Sequence, residues 1–239
     1  MKNVIILTGG LAGSSVLTSM FHKVGYWVGD STKQKHDYNT WENADLVDLN
    51  NQIIRDVGFT DDWTMNFHPD FVTRVSGPAA NLDPAPFEAF VQKCSEHPPW
   101  IWKDPRLWLT IRHWIRFLDP SNVCFVTIKR EHLQSWISTT LRRQIQTMDY
   151  AARYDDGIHE TILEFLQERG LPYYDILYED LLMQPERVLQ GISDISGAPV
   201  NMDVFRAVFR GRLHQKQHGL KSFLHASAIY LKNYGERYR

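Results

Sequence analysis

The 239 residues carry 26 Lys plus Arg against 28 Asp plus Glu, a formal net charge of -2, with 43% hydrophobic and 23% charged residues. A chain of this length is within reach of one large α/β domain, expected here, and leaves room for two small ones, while its composition gives a real core and excludes the disordered, collagen-like and coiled-coil classes. So small a net charge creates no global field, so nucleic acid and membrane surfaces are not expected partners and any anion site has to be local.

Val4 to Leu7 is a short apolar run ended by glycines, and from Ser14 to Val24 the residues Val16, Leu17, Met20, Phe21 and Val24 recur at helical spacing. This predicts a strand, a tight loop and a helix. A second helix is predicted from Glu42 to Val57, with Leu46, Leu49, Ile53 and Val57 on one face and Gly58 as its stop. Residues Phe59 to Pro99 are irregular, with one helix predicted around Pro86 to Cys94, and suit an insertion or lid rather than a separate domain. Trp100 to Trp102 is a short strand, Leu107 to Leu118 a helix, and Val123 to Ile128 the clearest buried strand in the chain. Helices are then predicted from Leu133 to Arg143, Ile158 to Arg169 and Pro185 to Ile195, with a strand from Tyr173 to Tyr178. Strands alternating with helices imply a parallel sheet covered on both faces. Most of the high aromatic share, eight Trp included, is expected in the core.

Cys94 and Cys124 are too few for a disulfide framework, and no His/Cys/Asp grouping has ligand spacing, so no metal is expected. No window approaches the ~20 uninterrupted apolar residues of a membrane span, and the four apolar residues after Asn3 are too short for a signal segment. A cytoplasmic protein is expected.

Two segments carry chemistry. Thr8-Gly9-Gly10-Leu11-Ala12-Gly13-Ser14-Ser15 joins the first strand to the first helix. Gly9, Gly10 and Gly13 permit a tight turn with its N–H groups aimed at an anion, the helix N-terminus adds its positive end, and Ser14 and Ser15 offer hydroxyls. An ordinary glycine-rich turn with a serine N-cap is the alternative. Thr8 and Ser14 stand where an ATPase P-loop needs Gly and Lys, which disfavours ATP or GTP hydrolysis. The loop is expected at the surface, where a valine at Gly13 blocks an anion without unfolding the protein. The second segment is Lys129-Arg130 at the carboxyl end of the best strand, where ligands of doubly wound sheets sit. Ser138 follows eight residues after Arg130; a solvated charge and an unrelated helical serine would read the same way.

That spacing resembles the R-x-P-x-x-x-x-x-S segment with which sulfotransferases hold the 3'-phosphate of 3'-phosphoadenosine 5'-phosphosulfate (PAPS), with His132 in place of the proline. Other segments resemble the same superfamily in the same order. Trp102-Lys103-Asp104-Pro105-Arg106 is similar to its bacterial-type W-K-D-P-R. Asn39-Thr40-Trp41-Glu42 with Leu49-Asn50 is similar to N-x-G-Y-x-E and L-N. Tyr178-Glu179-Asp180-Leu181 with Pro185-Glu186 is similar to Y-E-D-L and P-E. The family's first loop carries Lys or Arg two residues before its Gly-Thr-Ser; here Leu11 stands there.

The resemblance implies a single P-loop-like three-layer α/β domain over residues 1–239. It implies that Gly10, Gly13, Ser14 and Ser15 hold the 5'-phosphosulfate and that Arg130 and Ser138 hold the 3'-phosphate. Arg212, in the basic stretch Arg210-Gly211-Arg212 and Lys216 to Lys221, would close over the phosphates as the family's late basic segment does, a solvated surface being the alternative. Lys103 is the replacement for the missing loop cation, and Glu42, at a predicted helix start, is the candidate base, with His36 and Asp37 behind it. The implied reaction moves a sulfuryl group from PAPS to a hydroxyl or amine of a small-molecule or glycan acceptor, leaving the nucleotide PAP. From the residues themselves, Trp63, Phe67 and Phe71 suit apolar walls of an acceptor pocket or, equally, the hydrophobic anchors of a lid. A nucleotide-binding protein of the same fold without catalysis, or a small-molecule kinase, is the alternative.

Overall fold

The structure is a computed structural model, and it describes residues 1–34, 39–59, 68, 70–77, 81–209 and 219–237. Arg212, His36, Asp37, Trp63 and Phe67 therefore lie outside the described residues.

In chain order the elements are β1 (Asn3–Leu7), α1 (Ser14–Lys23), β2 (Thr32–Gln34), β3 (Asn39–Asn43), α2 (Ala44–Asp56), α3 (Asp70–Ser76), α4 (Ala85–Ser95), β4 (Ile101–Lys103) and α5 (Leu107–Trp114). Then come β5 (Val123–Lys129), α6 (His132–Leu141), α7 (Met148–Glu168), β6 (Tyr173–Leu177), α8 (Tyr178–Met183), α9 (Pro185–Ser196), α10 (Met202–Val208) and α11 (Leu220–Lys232). Four strands form one parallel sheet in the order β4-β1-β5-β6.

Strand β1 shows why the sheet is central. Its side chains alternate faces, and both faces are apolar: Val4 and Ile6 enter one core cluster and Ile5 and Leu7 the other. Leu17, Met20 and Phe21 of α1 cover the Val4/Ile6 face, with Val188, Leu189 and Ile192 of α9 beside them. Ile111 and Trp114 of α5 and Ile158, Ile162 and Phe165 of α7 cover the Ile5/Leu7 face. The three-layer α/β expectation is thus met. Trp100, Trp102, Trp108, Trp114 and Trp136 are all buried, and each buried aromatic contributes about 1.5–3 kcal/mol through removal of its surface from water. Among the described residues no helix is long and apolar enough to cross a membrane.

Helix α1, after β1, lies on one face, while α5, after β4, and α7, which follows β5 by way of α6, lie on the other, so the chain changes face between the neighbouring strands β1 and β5. Such a switch opens a crevice outside the strands' carboxyl ends.

Several boundaries differ from the sequence expectation. Glu42 is not in a first helical turn: it lies in β3, and the following Asn43 caps α2 by accepting from the Asp45 and Leu46 amides. The β2–β3 hairpin was not foreseen, because its buried positions are Thr40 and Asn43 rather than an apolar alternation. Helix α7 begins ten residues before the predicted Ile158, where Thr147 accepts from the Tyr150 amide. Residues Tyr178–Met183 form α8 directly after β6, and α5 stops at Trp114 rather than Leu118. Within the 59–99 segment, Phe87, Phe90 and Cys94 of α4 are buried in the main core.

Candidate active site

The loop after β1 is held from inside. The Thr8 hydroxyl accepts from the Gly10 amide at 3.2 Å, and Gly10, Leu11 and Gly13 have φ of 98°, 56° and 87°. Gly13, not a serine, is the N-cap of α1, and no side chain among the described residues caps that helix. Its first amides therefore take no side-chain cap and carry the positive end of the helix dipole, an arrangement that suits an anion. Ser14 is buried and Ser15 partly so, at the first two positions of α1. The expectation that a side chain at Gly13 leaves the fold intact is overturned: a Cβ there would stand 2.2 Å from Cδ2 and Cε2 of Tyr178.

Lys103, the last residue of edge strand β4, is 3% exposed. Its ammonium donates to Glu42 Oε1 at 2.7 Å, to the Thr40 carbonyl at 3.1 Å and to Ser15 Oγ at 3.3 Å. The Ser15 hydroxyl itself donates to the Thr40 carbonyl at 3.2 Å. Sequence positions 15, 42 and 103 thus meet in one cluster at the start of α1. Trp41 makes this possible, because its φ of 59°, fixed by a 2.8 Å bond from its amide to Asn39 Oδ1, turns the strand so that Thr40 and Glu42 both reach Lys103. A bulky residue in the left-handed region costs roughly 1–2 kcal/mol, the kind of strain that collects at functional sites.

Asp104, beside Lys103, is fully buried and structural. It accepts from Asn50 Nδ2 at 2.8 Å, and from the Arg106 amide and guanidinium at 3.0 and 2.8 Å. Burial pushes its carboxyl above the usual range while Arg106 and Asn50 oppose the shift. Asn50 Oδ1 in turn accepts from the Thr110 hydroxyl and the Trp114 indole, both at 2.7 Å. Every polar atom of the Asn50 side chain is tied to α5 or the β4 turn, so the L-N and D-P-R segments form one network that fixes the turn after Lys103.

Across the crevice, Arg130 Nη1 donates to Ser138 Oγ at 2.9 Å, so the eight-residue spacing brings the predicted pair together. Arg130 Nε donates to Glu179 Oε1 at 3.3 Å, and the guanidinium lies 4.8 Å from the centre of the Tyr178 ring. The other Glu179 oxygen accepts from the Glu131 amide at 3.1 Å. Tyr178 and Glu179 therefore position Arg130, and Tyr178 also packs against the Gly13 turn, coupling the two halves of the site.

Four site residues were not singled out from the sequence. Asp155 and His159, from α7, line the crevice with Gly9, Gly10, Lys129, Arg130 and Ser135. Burial pushes the Asp155 carboxyl up to about 6, opposed by a hydrogen bond from Ser135. His159 pairs with Asp175 at 3.2 Å, and the Thr127 hydroxyl donates to the other Asp175 oxygen. Burial works against ionising Asp175, but these two bonds outweigh it and hold its carboxyl below the usual range. Only the position of Asp155 and His159 on a helix passing over β5 unites them with the loop, and no local spacing signals that. Lys129 lies 3.7 Å from Asp156, and Lys221 sits on α11.

The arrangement offers two cationic centres, Lys103 and Arg130, on either side of a helix N-terminus, each with a carboxylate beside it, Glu42 at the first and Glu179 at the second. Among the described residues no group of His, Cys, Asp and Glu could hold a metal ion.

No protein-family profile matches the chain, and no curated protein matches it. Among solved structures it resembles the sulfotransferase domain from the Synechococcus PCC 7002 olefin synthase, with a TM-score of 0.56 and 19% identity over 94% of this chain and 84% of that one. It also resembles the sulfotransferase domain from the curacin biosynthetic pathway, with a TM-score of 0.53 and 14% identity over 93% of this chain and 82% of that one. At these identities the likeness is one of fold: the chain has the α/β fold of sulfotransferase domains.

Proposed function

We propose that the protein is a sulfotransferase that moves the sulfuryl group of PAPS to a hydroxyl or amine of a small-molecule or glycan acceptor, as a cytoplasmic enzyme without a metal. The observation that carries this reading is the pairing of Arg130 with Ser138 on one side of the α1 N-terminus and of Lys103 with Ser15 on the other. The two sites suit the two ends of a nucleotide that bears a 3'-phosphate and a 5'-phosphosulfate.

In this reading Arg130 and Ser138 hold the 3'-phosphate, and the α1 amides with Ser14 and Ser15 hold the 5'-phosphate. Gly10 and Gly13 allow the close approach of the loop. Lys103 supplies the charge that Leu11 cannot, at the sulfuryl oxygens and the bridging oxygen that becomes anionic as its bond to sulfur breaks. Glu42 takes the proton from the acceptor as its oxygen or nitrogen bonds to sulfur, and PAP leaves. A nucleotide-binding protein without transfer is the second reading, favoured by Leu11 in the place of the loop cation.

Calorimetry with PAP and AMP tests the assignment. A charge-assisted bond contributes about 1.5–3 kcal/mol, so PAP should bind at least ~10-fold more tightly than AMP, and Arg130→Ala should erase the difference. Equal affinities in the wild-type protein would remove the donor assignment. Sulfate transfer from PAPS, lost in Lys103→Ala, separates the enzyme from the binding protein.

A further inference from the structure

The Lys103 ammonium has three N–H groups, and the structure gives it three acceptors: Glu42 Oε1, the Thr40 carbonyl and Ser15 Oγ. At 3% exposure, the residue has little access to water that could replace a lost partner. An anionic oxygen arriving at the start of α1 must therefore take an N–H from a group that already holds it. The Thr40 carbonyl is backbone, bonded also by Ser15 and fixed by the Thr40 hydroxyl, which donates to the Lys33 carbonyl at 2.7 Å. Glu42 is a side chain with 15% exposure, able to turn away, and it alone of the three carries a charge that neutralises the ammonium.

From this geometry we infer that Glu42 and the sulfuryl group of the donor compete for Lys103, so that Glu42 restrains donor binding and becomes available to the acceptor only once the donor has taken the ammonium. The inference rests on the sulfuryl-transfer reading. Before the donor binds, Glu42 Oε1 is occupied by the ammonium; when a sulfuryl oxygen replaces it, the carboxylate is released beside the reacting group. The charge that assists transfer and the group that accepts the proton are thereby linked, and by reciprocity whatever frees Glu42 strengthens the donor's hold. Donor-first binding follows.

Calorimetric titration of wild-type and Glu42→Gln protein with PAPS and with adenosine 3'-phosphate separates the effects, because only PAPS brings anionic oxygens to Lys103. Glu42→Gln should lower the PAPS dissociation constant about tenfold, the worth of one charge-assisted contact regained, and leave that for adenosine 3'-phosphate within about twofold. The gain should disappear in Glu42→Gln/Lys103→Ala. Glu42→Ala, smaller and equally neutral, should give the same direction if glutamine crowds the site, and Glu42→Asp, still anionic, should not tighten PAPS. A role for Glu42 in holding the fold alone would weaken both nucleotides. Unchanged or weaker PAPS binding in both neutral variants, with adenosine 3'-phosphate still bound, overturns the competition and leaves the sulfuryl-transfer reading in place. A wild-type protein that binds neither nucleotide overturns both.

Discussion

Gly13→Ala should damage this protein far beyond the loss of a flexible turn. Two separate costs add. A residue with a Cβ at φ 87° sits in the left-handed region, which costs roughly 1–2 kcal/mol. The Cβ would also stand 2.2 Å from two carbons of the Tyr178 ring, where carbon atoms normally rest about 3.5–4.0 Å apart, so the ring must shift by more than ~1 Å. Tyr178 is 3% exposed, belongs to a core cluster and carries Arg130 on its face, so such overpacking should cost about 1–3 kcal/mol. Together the change removes roughly 2–5 kcal/mol from a domain whose whole stability is about 5–15 kcal/mol. Urea unfolding measures it, and the Tyr178→Ala background divides it. With the ring gone, Gly13→Ala should cost only the backbone part; PAP affinity should fall on Gly13→Ala in the wild-type background and on Tyr178→Ala by itself, because each disturbs the platform under Arg130. A cost below ~0.5 kcal/mol, or the same cost with and without the Tyr178 ring, would refute the account of this turn.

Asn50→Ala removes the partner of Asp104 Oδ2 and of the Trp114 indole in a site with no exposure, while the Thr110 hydroxyl keeps the Arg106 carbonyl at 3.2 Å and Asp104 Oδ1 keeps Arg106. Unsatisfied buried groups cost about 1–3 kcal/mol each, so urea unfolding should show a loss of ~2 kcal/mol or more; a loss under ~1 kcal/mol would mean the network is not holding the β4 turn. Asp155 makes a pH-dependent contribution of opposite sign to the usual carboxylate. Its pKa is raised from 3.8 to about 6, so as pH climbs through that window the unfolded chain releases the proton before the folded one does, and stability falls. The decline should reach roughly 2–3 kcal/mol, and Asp155→Asn should flatten that part of the profile and raise the melting temperature at pH 7.5; an unchanged profile would contradict the burial assigned to it.

The sheet was legible in the sequence because a parallel strand buried on both faces must be apolar throughout, as Val4 to Leu7 and Val123 to Ile128 are. Arg130 with Ser138 was legible because both lie on one strand-to-helix unit, and Lys103 because it closes a strand. The β2–β3 hairpin was not, since it buries Thr40 and Asn43 and presents polar residues elsewhere; that misplaced Glu42 by an element, and its contact with Lys103 has no signal in the sequence. Trp41 shows the same limit, because a tryptophan gives no sign of a left-handed backbone that an Asn39 side chain imposes. Gly13 was recognised as a turn residue but not as the partner of Tyr178, which lies 165 residues downstream and meets it only across the folded sheet.

The bonds that assemble the site join distant parts of the chain: Lys103 to Ser15 and Glu42 spans 88 and 61 residues, Asn50 to Asp104 spans 54, and Arg130 to Glu179 spans 49. Each closes a long loop, whose entropy must be given up before the contact stabilises anything, and parallel pairing of β1 with β4 and β5 carries the same handicap. The domain should therefore fold slowly for its size, with the cation cluster among the late events. A nascent chain that has emerged only as far as α4 holds Ser15 and Glu42 but not the lysine that joins them, and one that ends at α6 holds Arg130 without Glu179. Nucleotide binding would then mark the moment at which synthesis has passed α8 and the sheet has closed, so a bound ligand would select completed molecules over every shorter intermediate.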